Sequence, residues 1–372
     1  MTGPGPATPP SLTLERAGAL YDLERYEQAA ALAAQHLAQQ PDDAAALALL
    51  ARCRRHLGDH AEALRLADEA LRADPELPSV WLLRADLLAQ GPARGPQWAA
   101  AEDSARRGIA LVPHHWAGYH VLGTILARSG DRSRAGEAYA LALRSVELGP
   151  EEDATHFLLG LTAYQLKDYR TAERAYENAL RLNPQSSEAH NNLSLLHLRR
   201  RWYTRGAWTR AAEGFVDSAA LDLGDREARF NLETMAWGTA AGARWVALAG
   251  FLAAGVGSAP LRGGSGGAAA LTGELIGAAV VAGLWTAWFL WMRRRVPPRL
   301  RRPLLLISRS CPPVLWMAGA VGLLGLHSVA TLALPTADAG VIAALGGPLF
   351  WAVVLTYWVS RSALNRRAPG RR

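Results

Sequence analysis

Asp153–Ser186 reads DATHFLLGLTAYQLKDYRTAERAYENALRLNPQS. Counted as a 34-residue unit, it has Leu159 and Gly160 at places 7 and 8, Tyr169 at 17 and Ala172 at 20. Tyr176 follows at 24, Ala179 at 27 and Pro184 at 32. The spacing recurs on both sides. A first unit from about Pro10 has Tyr26, Ala29 and Pro41 at places 17, 20 and 32. A second from Ala44 has Leu50, Ala51, Gly58, Ala63, Ala70 and Pro75 at 7, 8, 15, 20, 27 and 32. A third begins near Pro78 and needs about four extra residues around GPARGPQ before Trp98, Ala101 and Pro113 align. A fourth from Trp116 carries Tyr119, Leu122, Gly123, Gly130, Ala135, Tyr139 and Ala142. A sixth near Ser187 has Leu193, an insertion in RRRWYTRG, and then Trp208, Ala211 and Phe215.

This pattern resembles the tetratricopeptide repeat (TPR), over residues 10–225. The resemblance implies two antiparallel helices per unit, stacked into an all-α solenoid. Gly160 and Ala172 would lie where the two helices cross, Tyr169 and Tyr176 would fill the space beside them, and Pro184 would stop the second helix. Six units exceed the three or so that such a stack needs. Residues 226–242 read as a further helix covering its end.

The resemblance also implies a concave wall built from the first helix of each unit. The candidate peptide-binding residues there are Arg52, Arg55, Arg128, Phe157, Tyr164, Asn191 and Arg199. His56, Asp86, Gln90, His120 and Gln165 occupy wall places too. Arginine suits a carboxylate and asparagine a peptide backbone, so an extended peptide is one reading. A solvated face with no single ligand is the other. Clamps for chaperone tails need lysines at set places, and Lys167 is the only lysine here.

Charge and hydropathy change abruptly after Trp237. Residues 241–372 hold 14 arginines and two acids, Glu274 and Asp338, whereas residues 1–240 hold 26 basic and 31 acidic residues. The basic excess therefore belongs to the apolar part and does not point to nucleic acid. The Arg, Ala and Gly excess reads as a GC-rich bacterial genome. Four apolar runs, 243–261, 271–292, 313–334 and 339–359, each approach the ~20 residues of a membrane-spanning helix. RRRVPPRLRRPLLLISRS carries seven arginines and the end of the chain from Arg361 five, against one Arg and one Asp in RGGSGG and LPTADAG. The positive-inside rule then places both termini in the cytoplasm. The expected layout is a disordered tail (1–9), the solenoid (10–225), the capping helix (226–242), four membrane helices (243–361) and a basic cytoplasmic tail (362–372).

No motif supports an enzyme. GGSGG at Gly263–Gly267 has the letters of a nucleophile elbow but no preceding strand. His56 with His60, and His114 with His115 and His120, lack the Cys or carboxylate partners of a zinc set. Cys53 and Cys311 follow no metal spacing and read as unpaired thiols. No cofactor or metal is expected. Within the apolar runs Glu274 and His327 are ionisable, which leaves helix packing and transport both open. Gly273 and Gly277 form a GxxxG pair suited to close helix contact. The function expected is a membrane-anchored scaffold that recruits a protein or peptide partner. The alternative is a regulatory or structural subunit of a transporter or channel.

Overall fold

The computed structural model describes residues 12–90, 95–199, 206–222, 226–259, 267–333 and 339–368. The expected tail over 1–9, most of both insertions, most of the GGSGG segment and the last four residues lie outside them. The described residues are helical throughout, with no strand among them. The chain divides into two units, residues 1–184 and 185–372.

The first unit contains five helical hairpins. They are α1 (Leu12–Asp22) with α2 (Tyr26–Leu37), α3 (Ala44–His56) with α4 (His60–Ala73), α5 (Pro78–Leu88) with α6 (Pro96–Leu111), α7 (Trp116–Arg128) with α8 (Ala135–Leu148), and α9 (Asp153–Gln165) with α10 (Tyr169–Leu182). The turn inside a hairpin is short because one residue reverses the chain in the left-handed region. Gly58 and Gly130 do so at φ 83° and 67°, while Glu24 and Lys167 do so at 59° and 65° with side chains attached. All four occupy place 15. An aspartate follows three of them and caps what comes next: Asp59 accepts from the Glu62 amide, Asp131 from Ser133 and Asp168 from Thr171.

The two helices of a hairpin touch through small residues. Ala51 and Ala63, Ala85 and Ala101, and Ala172 are fully buried, as expected at places 8 and 20. At Gly160 a Cβ would stand 2.5 Å from the Tyr176 ring, and that ring is 1% exposed. No side chain fits there.

Successive hairpins are tied by a second device. The place-4 side chain hydrogen-bonds the proline carbonyl six residues back: Trp81 Nε1 donates to Pro75 (2.8 Å), Tyr119 Oη to Pro113 (3.0 Å), and His156 Nε2 to Pro150 (2.9 Å). Proline stops the preceding helix, and the ring holds the chain where it turns into the next one. Ion pairs reinforce the stack. Burial would raise the Glu102 carboxyl, but hydrogen bonds from Arg134 and Arg106 outweigh it and hold the group below its ordinary value.

The second unit opens with the sixth hairpin, α11 (Ser187–Arg199) and α12 (Ala207–Leu221). Next comes α13, 32 residues long from Arg226 to Gly257 without interruption. The expected capping helix and first apolar run are thus one continuous helix. Three more long helices follow: α14 (Ala268–Arg295), α16 (Pro312–Ala333) and α17 (Ala339–Asn365). Between α14 and α16 the arginine-rich linker forms a helix of its own, α15 (Pro298–Ser310). Among the described residues three helices suffice, by length and composition, to cross a membrane: α13, the Leu271–Arg295 part of α14, and α16. The fourth apolar run is helical within α17, with Pro348 inside it.

Close contact again depends on glycine. A Cβ on Gly257 would lie 2.7 Å from the Gly273 carbonyl and 3.1 Å from Gly277 Cα, so the GxxxG pair packs against α13. Trp237 Nε1 ties α13 to Ser360 on α17 at 2.9 Å. His327 Nε2 donates to the Ile342 carbonyl of α17 (2.8 Å), so that nitrogen carries the proton.

Two substitutions separate the turn from the crossing. Gly58→Ala keeps the hairpin contacts but strains the left-handed turn, and we expect a loss of about 1 kcal/mol. Gly160→Ala drives a methyl group into the Tyr176 ring and should cost about 1–3 kcal/mol. Lys167→Gly removes strain at the equivalent turn and should cost nothing. Urea unfolding followed by circular dichroism checks all three.

Candidate functional site

The candidate wall in the first unit runs along α3, α5, α7 and α9. At its start Arg52 lies over the Tyr21 ring, 5.1 Å from the centroid, and is exposed. Tyr26 stacks on His56 at 4.3 Å, and Tyr21 Oη is 3.0 Å from His56 Nε2. Desolvation and then the Arg55 charge lower the His56 pKa, which favours the neutral ring. Arg55 donates to Asp86 across the α3–α5 gap at 2.6 Å. Both partners are about one-third exposed, which leaves the pair open to water and worth little by itself.

His120 comes next, on α7. Burial lowers its pKa, against the charges of Asp86 and Asp153. Its Nδ1 is buried without a hydrogen-bond partner. Trp116 packs edge-on against the imidazole at 5.9 Å. Arg128, two turns further along α7, is exposed. On α9, Gln165 Nε2 donates to the Ala127 carbonyl (2.9 Å), joining the ends of two wall helices.

Phe157 and Tyr164 are half-buried. The Phe157 ring meets Tyr176 at 5.9 Å and Tyr164 meets Tyr169 at 5.7 Å, so each leans partly on the second helix of its hairpin. Arg199 and Asn191 belong to the second unit. Arg199 is exposed. Asn191 is 4% exposed, and its amide oxygen accepts from Asn231 of α13 at 3.0 Å. The structure therefore groups Arg55 with Asp86 and His120 and directs Asn191 inward. Asp86 and His120 carry the most distinctive chemistry on this wall. Their signal in the sequence is their wall places alone.

A protein-family comparison matches tetratricopeptide repeat models to residues 20–87 and 157–230. The chain carries tetratricopeptide repeats. It is 23% identical over 171 residues to anaphase-promoting complex subunit 3 of Schizosaccharomyces pombe, covering 46% of this chain and 25% of that protein. Among solved structures, the APC/C hetero-tetramer Cut9–Hcn1 aligns with a TM-score of 0.51 at 18% identity, covering 58% of this chain and 41% of that one. Pseudomonas aeruginosa pilF aligns at a TM-score of 0.43 and 20% identity, over 53% of this chain and 85% of that one. At these identities the likeness is one of fold. The chain spans a quarter of the length of its curated relative. Repeats of this type are generally non-catalytic interaction scaffolds, and no enzymatic family is indicated.

The unpartnered His120 nitrogen yields a test. His120→Leu removes that unpartnered nitrogen together with the ring's hydrogen bond to the Ala154 backbone; where the unpartnered nitrogen outweighs the lost bond, the variant is more stable by about 1 kcal/mol. A lower unfolding midpoint for that variant would show that the lost bond outweighs the unpartnered nitrogen.

Proposed function

We propose that this protein is a membrane-anchored scaffold whose repeats recruit a protein or peptide partner to the cytoplasmic face of the membrane. The observation that carries this reading is the pairing of an interaction fold with long apolar helices whose arginines cluster in alternate linkers along the sequence. Leu275, Ile276, Leu326, Trp351 and Leu355 on those helices are each at least 60% exposed, far more apolar surface than a soluble protein presents to water. α13, α14, α16 and α17 are the four spans. Both termini, the hairpins and α15 face the cytoplasm.

His327 is a packing residue in this reading. Its Nε2 is bonded to the Ile342 carbonyl, and Glu274 is not bonded to it. The partner lies along the wall from Arg52 to Tyr164, where exposed cations, half-buried aromatic rings and a neutral imidazole offer an extended peptide both charge and stacking area. The partner is a protein segment, with no role for nucleic acid or a metal.

Two measurements test it. Cysteines introduced at Ser265 and Asp338 should react with a membrane-impermeant maleimide in intact cells, whereas one at Arg302 should react only after lysis. The reverse pattern places the repeats outside. Within the full-length protein, a photo-crosslinking residue at Arg128 should capture a discrete partner in cells, and one at Arg174 on α10 should not. Capture from Arg174 but not Arg128 would move recognition off the wall. Tyr164→Ala should weaken the Arg128 capture without lowering helix content.

A further inference from the structure

The second unit contains an apolar slot that anchoring alone does not require. Its volume is about 510 Å³, within the range of small-molecule sites. Phe289 and Met292 of α14, Leu305 of α15 and Thr239 of α13 line it, and Arg293 and Arg301 form part of the same lining. The slot lies at the arginine-rich end of α14, beside Trp291, a position suited to the membrane–water interface.

The arginines around it fall into two groups. Some are occupied: Arg299 pairs with Glu213, and Arg295 lies over the rings of Trp208 and Trp291 at 5.0 and 4.7 Å. Arg293 and Arg301 are exposed, and among the described residues neither pairs with a carboxylate. Arg301 spends only Nε, on the Val296 carbonyl at 3.3 Å, which leaves both terminal nitrogens available. Two uncompensated guanidinium groups beside an apolar slot complement a molecule that is anionic at one end and apolar along the rest.

We propose that the slot holds an acyl chain of an anionic phospholipid, with the phosphate between Arg293 and Arg301. The proposal rests on the membrane reading above and adds to it a lipid preference. α15 lies in the headgroup layer with Leu305 and Leu306, 51% and 66% exposed, facing the acyl region. Pro303 interrupts the hydrogen-bond ladder of this helix, and Leu300, 2% exposed, pins its first turn to the hydrophobic cluster of Trp208 and Phe215. The sixth hairpin is thereby joined through α15 to the lipid headgroups.

The test uses the full chain in neutral detergent with equal amounts of phosphatidylglycerol and phosphatidylcholine, and native mass spectrometry counts the lipid retained. Wild type should retain the anionic lipid about tenfold over the zwitterionic one, as expected for two nearby arginines. Arg293→Gln with Arg301→Gln should bring the ratio close to parity. Leu305→Gln should reduce total retention, while Arg361→Gln with Arg366→Gln should change neither quantity. No preference in wild type, or a preference that survives the Arg293/Arg301 pair, overturns the proposal. Full competition by glycerol phosphate at the lipid's own concentration overturns it too, since the acyl chain would then contribute nothing. Alkaline carbonate extraction separates the two readings. A chain that washes off membranes overturns the anchoring and this proposal together. A chain that stays but shows no preference overturns this proposal alone.

Discussion

Everything in the hairpins depends on how closely two helices approach. With Gly160 against Tyr176, and buried alanines at the matching places of other hairpins, the backbones come within reach of one another's side-chain stems. Bulk is then concentrated in a few residues, such as Tyr176 and Phe215, that plug the space beside each crossing. A packing of this kind tolerates little change in volume, because neighbouring atoms have no room to yield. It also accounts for the modest size of the side chains in the core. Alanine contributes little hydrophobic area, so stability accumulates from many similar contacts repeated along the chain.

The hairpins were legible in the sequence because their constraints are local and periodic. A missing side chain, a left-handed turn and a helix-stopping proline each leave a letter at a fixed place. The turns show the limit of such reading. Gly58 and Gly130 announce the left-handed residue, but Lys167 and Glu24 adopt the same conformation without a glycine to mark it. The ring-to-proline bond was hidden for a similar reason. Trp81, Tyr119 and His156 share no residue type, only the ability to donate from about the same reach.

The wall was legible as a set of positions and not as chemistry. Position alone could not distinguish Arg55, which reaches Asp86, from Arg128, which is exposed on the next wall helix but one. Nor could it show that Asn191 would be buried against Asn231, because that contact depends on α13 following the sixth hairpin. The arginine-rich linker was read by charge, as a loop marking one side of the membrane. Its leucines at 300, 304 and 305 also satisfy a helical face, and α15 forms on them despite Pro303. Charge and amphipathicity coexist in the same thirteen residues.

The continuity of α13 has a mechanical meaning. At 1.5 Å per residue its 32 residues make a rod about 48 Å long, with no proline or break to absorb bending. Its first turns pack under α12 through Leu232 and Met235, and its last turns pack in the apolar bundle through Gly250 and Gly257. A tilt or rotation imposed at one end is therefore delivered to the other as a lever delivers it. The sixth hairpin packs on the same helix that continues into the bundle. Within the second unit the join between the sixth hairpin and the apolar helices is a drive shaft rather than a tether.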